Sequence, residues 1–332
     1  MTKSIKLKRL FAIIKYLLKY LLIITIFIIL FVNPKVNMNS FYNGLKLWAT
    51  LVLPALFPIL FVTSILNSTG MSIAVGAKLS KMTKLLFNCG GASGYIYILS
   101  ILSGYPVGAK VTSELYENKI ISHGEACRIT AFASTSGPLF ILGTVGVGLF
   151  GSMRTGIIIL VSHMLGALIN GIIFRRLYNS SRYNITSTLS VNPSGSVLEN
   201  CMLSSIRSIL IIGGYIAISY MLISIAESYN IFSGLADVVS STTGLNGEII
   251  EGILEGLIEM TKGVQNISML GLSQNANALL GTGLITMGGL SIFLQAYTYL
   301  AKFKIKIRLY LLQKILHTAL SIAICSILIL IF

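Results

Sequence analysis

The residues of this chain best suited to chemistry sit where a helix is least able to continue. Gly104-Tyr105-Pro106-Val107-Gly108-Ala109-Lys110 lies at the end of one apolar run, and Ser134-Thr135-Ser136-Gly137-Pro138-Leu139-Phe140 lies within another. Glycine and proline packed this closely interrupt the i→i−4 ladder and free backbone N–H and C=O groups. In hydrocarbon those groups must find partners inside the protein or line a wet cavity. The start of a half-helix, with free N–H groups and the positive end of its dipole, suits a carboxylate or a phosphate. Lys110 and Lys262 add charge beside the breaks, Ser134, Thr135, Ser136, Thr261 and Ser291 offer hydroxyls, and Gln295 offers an amide. The candidate substrate-binding set is Gly104, Pro106, Gly108, Lys110, Ser134, Thr135, Ser136, Gly137, Pro138, Glu259, Thr261, Lys262, Gly289, Ser291 and Gln295. The competing reading is packing: glycine and proline are common in membrane spans, and a serine there usually bonds its own backbone or a neighbour.

A second pattern is acidic. Glu248, Glu251, Glu255 and Glu259 are spaced three, four and four, which lines them along one helical face. Glu248 and Glu251 read as solvated, whereas Glu259, beside Thr261 and Lys262, reads as functional. At depth, Glu255 and Glu259 would suit a coupling cation or a proton. Gly252 and Gly256, four apart, permit close helix approach. His163 sits inside an apolar run and is expected to be a neutral histidine bonded to a neighbouring helix. The four cysteines and three histidines are scattered and show no metal-ligand spacing. No nucleophile–base pair is visible, so neither an enzyme nor a cofactor is expected.

The elements that must position these residues are membrane helices. Hydrophobic residues make up 55% of the 332, charged residues 11%, and mean hydropathy is +0.85, which together specify an all-α polytopic membrane protein. The net charge of +15 comes from basic blocks at span ends, as the positive-inside rule requires, and calls for no nucleic acid. An extra N-terminal span is expected at about residues 15–32. A second follows at 47–66, with Pro54 and Pro58 kinking it and Trp48 as an interfacial anchor. Residues 85–109 read as a re-entrant hairpin or broken helix, 110–128 as a polar helical link, and 129–153 as an interrupted crossing. Residues 155–174 form a clean span.

After a Ser/Asn/Thr-rich linker at 178–196, an amphipathic approach (197–207) leads into a span at 208–226. An acidic outer loop follows at 227–247. Gly281-Thr282-Gly283 and Gly288-Gly289 mark another broken helix, and the last span is about 309–331. Both halves share this order, and the lysine blocks orient them oppositely, with Lys78, Lys81 and Lys84 and the later Lys302–Arg308 block all cytoplasmic. The result is an inverted repeat with re-entrant or broken helices: 1–40 N-terminal segment and span, 41–177 first repeat, 178–200 linker, 201–332 second repeat. Paired interrupted helices in inverted repeats are the architecture of secondary transporters.

At Gly104–Lys110, Ser136-Gly137-Pro138-Leu139-Phe140, Glu259-Met260-Thr261-Lys262-Gly263 and Gly288-Gly289-Leu290-Ser291-Ile292-Phe293-Leu294-Gln295 the chain resembles the YlbJ (SpoVV) sporulation integral membrane proteins. The likeness covers about residues 44–300. It implies a nucleoside-recognition Gate domain, a multi-pass protein of a bacterial inner membrane and a role in moving dipicolinate during spore formation; the basic residues of the first segment place the N-terminus in the cytoplasm. Where the family has Ser-Asn or Ser-Ser before the proline of the second motif, this chain has Ser136-Gly137. The expected function is alternating-access transport of a small, dipicolinate-like anion. A nucleoside-like solute, or a non-transporting assembly role, remains as the alternative. The expected partners are the bilayer and a small solute, with a coupling ion and a homo-oligomer left open.

Overall fold

A computed structural model describes residues 30–178 and 197–331, together with residues 17, 20, 21, 24, 25, 27 and 28. Eight of the 18 residues of the span expected at 15–32 fall outside the described residues, as does the linker at 178–196 apart from Tyr178. Every element among the described residues is helical. The first half contains α1 (Pro34–Leu47), a π-helical turn (Trp48–Val52), α2 (Leu53–Ser68), α3 (Met71–Phe87), α4 (Ala92–Ser103), α5 (Val107–Glu117) and α6 (His123–Ile129). A π-helix (Leu139–Leu149) and α7 (Met153–Ile173) complete it. The second contains α8 (Val197–Ser228), α9 (Ile231–Thr243), α10 (Gly247–Ile258), α11 (Met260–Ser268), α12 (Gln274–Met287), α13 (Gly289–Leu300) and α14 (Ile307–Ile331). The order repeats: a long helix, a shorter one, two interrupted pairs, and a long closing helix.

Five helices among the described residues are long and apolar enough to cross a bilayer: Pro34–Ser68, Met153–Arg176, Val197–Ser228, Gln274–Phe303 and Ile307–Ile331. The α3–α4 pair, bent by 86°, is either a sixth, broken span or a re-entrant loop. Their packing is that of a protein solvated by lipid. On α7, Met153, Ile157, Val161, Leu165, Ile169 and Ile173 recur every fourth residue as an exposed apolar stripe. The opposite face buries Ser162, His163, Gly166, Asn170 and Gly171. Small and polar residues turn inward because lipid rewards close helix packing and internal hydrogen bonds rather than burial of leucine. At Gly166 an added Cβ would overlap Ser321 Oγ of α14, which shows how closely α7 and α14 approach.

Several expectations are corrected. The helix expected at 47–66 is continuous from Pro34, and its register slips through the π-helical turn just before Pro54, which has no N–H to donate. Trp48 therefore lies mid-helix; its indole N–H donates to the Ile209 carbonyl at 3.1 Å, and the ring covers Gly213. It ties α1–α2 to α8. Lys78, Lys81 and Lys84 lie on α3, residues 197–228 form one helix, and the stretch 227–247, expected as a loop, contains α9. The interruption expected within 129–153 is present: the chain is irregular from Thr130 to Gly137 before the π-helix of 11 residues. Gly281-Thr282-Gly283 does not interrupt α12. Gly281 gives room to Phe150 and Ile159, and the break waits for Gly288 and Gly289, whose φ values of 78° and 68° only glycine adopts readily.

Candidate functional site

Four interruptions build the site, two from each half. The first follows Ser103. Gly104 takes φ 77°, the Tyr105–Pro106 peptide is cis, and Pro106 caps α5. The second is the irregular run to Pro138. The two touch backbone to backbone, because a Cβ on Gly104 would overlap the amide nitrogen of Gly137 and one on Gly108 would overlap the Ala133 carbonyl. Freed polar groups find partners here, as hydrocarbon demands. Ser100 Oγ donates to the Ala133 carbonyl at 2.7 Å, and Thr135 Oγ1 donates to the Ser100 carbonyl at 2.9 Å.

The third interruption is Glu259, which separates α10 from α11 with no glycine or proline at the break. The acidic face expected over 248–259 therefore ends at Glu255. Glu248 is exposed, Glu251 half-buried and Glu255 buried, where Asn266 Nδ2 donates to its carboxylate. Glu259 instead caps α11: its Oε2 accepts from the Lys262 amide at 2.9 Å and its Oε1 from Thr261 Oγ1 at 3.2 Å. The fourth is Gly288-Gly289. A Cβ on Gly289 would lie 2.6 Å from the Gly256 carbonyl oxygen and 3.1 Å from that of Ile258, so the third and fourth breaks are also in contact. Gly256 in turn abuts Gly263, the close approach expected of Gly252 and Gly256.

Histidines hold the two halves together. The Ser136 amide donates to His163 Nε2 at 2.8 Å, so the ring proton sits on Nδ1, which donates to Thr286 Oγ1 at 2.9 Å. His317 Nε2 donates to the His163 carbonyl at 2.9 Å, and the two rings lie 4.9 Å apart. Tyr105 Oη donates to the Thr286 carbonyl at 3.3 Å and accepts from Lys314 Nζ at 2.6 Å.

Between the breaks lies a cavity of about 100 Å³. Its wall takes Ser103, Gly104 and Tyr105 from the first break, Ser136, Gly137, Leu139, Phe140 and Thr144 from the second, and Glu259, Met260 and Thr261 from the third. Ile292 and Gln295 come from α13, and Leu51, Val52, Ala55, Leu56 and Ile59 with Ile212 and Ile216 close the apolar side. Among the described wall residues the titratable side chains are Glu259 and Tyr105; no lysine, arginine or histidine is present.

Six of the sequence candidates thus meet at this wall: Gly104, Ser136, Gly137, Glu259, Thr261 and Gln295. The others stand behind or beside it. Pro106 is buried at the start of α5, and Pro138 starts the π-helix. Gly108 and Ser134 line a separate pocket of about 10 Å³, where Ser134 Oγ lies 2.9 Å from Tyr310 Oη. Thr135 is turned to Ser100, Gly289 is packed on Gly256, and Ser291 Oγ accepts from Gln295 Nε2 at 3.2 Å.

The two cations do not face the cavity. Lys110 is buried with its Nζ 3.4 Å from Ser64 Oγ and 3.9 Å from Glu114, whose carboxylate also accepts from Asn67 Nδ2 at 2.8 Å. Lys262 reaches Glu227 at 3.5 Å. Tyr105, Thr286 and Lys314 were outside the sequence candidates. Lys314 carries a readable signal, since an ionisable residue within an apolar span is a functional candidate by default. Thr286 carries none.

The fold and site define a class: an all-α polytopic membrane protein with a cavity enclosed by paired helix interruptions. Over 308 residues, 86% of this chain and 76% of the relative, it is 24% identical to the sporulation integral membrane protein YlbJ of Bacillus subtilis (strain 168), which supports placing it in the YlbJ-type family. Neither a family model nor a solved structure matches the chain, so the Gate domain implied by the sequence motifs is not shown.

Proposed function

We propose that this protein works in the membrane during spore formation as a transporter, moving a small dipicolinate-like anion by alternating access around its paired broken helices. The observation that carries the reading is the convergence of three interruptions, two from the first half and one from the second, on one cavity, with the fourth packed against the third and the helix it starts supplying Ile292 and Gln295. Transporters that use interrupted helices hold their solute at such a junction, with half-helix ends as the ligating groups. The relative's role in sporulation supports the setting. The lysine blocks support opposite orientation of the two halves, an inner-membrane location and a cytoplasmic N-terminus. For an anion the favourable feature is the helix start at Leu139, in the wall, since the start at Met260 is already capped by the Glu259 carboxylate.

A second solute class has an observation of its own. The wall holds the Glu259 carboxylate and no basic side chain, with Gln295 as an amide and Tyr105 and Phe140 as ring faces. That set favours a neutral, hydrogen-bond-donating, nucleoside-like solute. Reconstitution in liposomes with labelled dipicolinate, and a nucleoside as comparator, decides between them. Saturable dipicolinate uptake supports the primary reading, and saturable nucleoside uptake alone supports the second. Absence of flux for either, with protein shown to be folded, overturns transport of these solutes and leaves a membrane assembly role.

A further inference from the structure

Lys314 lies within the apolar helix α14 and is 4% exposed. Its Nζ donates to Tyr105 Oη at 2.6 Å and stands 4.5 Å from the centre of that ring. No carboxylate among the described residues comes within 4 Å of it. The reason is visible in the sequence: α14 packs on α7 and α12, and none of these three helices contains an aspartate or glutamate. The titratable groups around it are Tyr105 from the first break, His163 from α7, and Tyr310 and His317 on its own helix; α12 contributes Thr286 and Met287 and nothing that titrates.

An ammonium buried without a counter-ion is costly, and the cost is relieved either by loss of the proton or by arrival of an anion. Tyr105 is the route by which an anion is felt here, because the same residue lines the cavity and accepts the Lys314 hydrogen bond. Its own O–H, now 3.3 Å from the Thr286 carbonyl, can turn toward a carboxylate in the cavity while Nζ–H continues to donate to Oη.

We infer that Lys314 is the proton-binding group of this cavity: it takes up a proton when an anionic solute enters and releases it when the solute leaves, so that anion and proton cross together. The step is a simple protonation. The Nζ lone pair accepts a proton from water on the entry side, and the ammonium returns it to water on the exit side. The inference rests on the transport reading of the same cavity.

The test uses the full-length purified protein in weakly buffered solution with a pH indicator. Dipicolinate is titrated in, and bound ligand and protons are counted together. One proton should be taken up per dipicolinate bound, and the apparent Kd should weaken about tenfold per pH unit on the alkaline side. Lys314→Met should bind more weakly, with no proton uptake and no pH dependence. It should melt no lower than the parent, because it removes a buried amine that has no counter-ion, so a loss of binding is not a loss of fold. Lys314→Arg, permanently charged, should bind without proton uptake and without pH dependence. Proton uptake by Lys314→Met equal to the parent's assigns the proton elsewhere and overturns the inference while transport stands. Binding by the parent with no proton uptake does the same. Failure of the folded parent to bind or move dipicolinate overturns the anion-transport reading and the inference with it.

Discussion

The amide of Ser136, at the heart of the second interruption, donates to Nε2 of His163 on α7 at 2.8 Å. One side chain thereby satisfies a backbone group freed by the break and, through Nδ1 and Thr286, fastens the second half of the molecule to the first. Broken backbone is tolerated at membrane depth only when such a partner exists.

His163→Ala should leave the Ser136 amide and the Thr286 hydroxyl without that partner. Each buried orphan costs about 1–3 kcal/mol, and a lower melting temperature in detergent, with solute uptake reduced in proportion to folded protein, is the expected result. The imidazole ¹⁵N shifts of the parent should report a proton on Nδ1, the tautomer that the Ser136 hydrogen bond selects. A proton on Nε2 would contradict the geometry.

Gly104→Ala should be among the most damaging single changes. The new Cβ meets the Gly137 amide nitrogen, and the residue holds φ 77°, so both backbone strain and overlap oppose it. A loss of roughly 3 kcal/mol or more is expected from strain and overpacking together. Gly214→Ala on α8, where a Cβ meets nothing within 4 Å, should leave the melting temperature unchanged or slightly raised.

Glu259→Gln and Glu259→Ala separate the two roles of this side chain. The amide oxygen of glutamine can still accept one hydrogen bond at the start of α11, whereas alanine removes the cap at a cost of about 1 kcal/mol. Removal of the negative charge by either change should strengthen binding of an anionic solute relative to a nucleoside, measured as the ratio of the two uptake affinities. An unchanged ratio would place Glu259 outside solute recognition.

Lys110→Met should lower stability by about 1–3 kcal/mol, since Glu114 is left with Asn67 as its polar partner. The apparent Km for solute should stay at the parent value, because the ammonium points to Ser64 and not into the cavity. A raised Km with unchanged melting temperature would return Lys110 to the binding site.

Opposite orientation of the halves is testable by cysteine labelling. The four native cysteines are buried, and burial pushes the Cys127 thiol up to about 11, so its thiolate is scarce at neutral pH and background labelling should be slow. Lys84→Cys on α3 should react from the cytoplasmic side of intact cells and Ser240→Cys on α9 from the outer side. Labelling of both from one side would refute the inverted arrangement.

Much of the architecture was legible because the determining forces are local. Uninterrupted apolar length marks α7 and α14, and the Gly104–Pro106, Gly137-Pro138 and Gly288-Gly289 clusters mark where helices stop. These follow from hydropathy and from the φ limits of glycine and proline, which act within a few residues. The break at Glu259 was not legible as a break, since no helix-breaking residue stands there; a side-chain cap at the junction of two packed helices produces it.

What the sequence by itself determined is an all-α membrane protein of two similarly ordered halves, with helix breaks at Gly104–Pro106, Gly137-Pro138 and Gly288-Gly289. What only the tertiary structure decided is which freed groups meet. His163 finds Ser136 across 27 residues and Thr286 across 123, and Lys314 finds Tyr105 across 209, while Lys110 and Lys262 turn away to Glu114 and Glu227. Residue types and spacing set what each group is able to bond. Packing of the helices sets which partner lies within reach, and no local pattern records that choice.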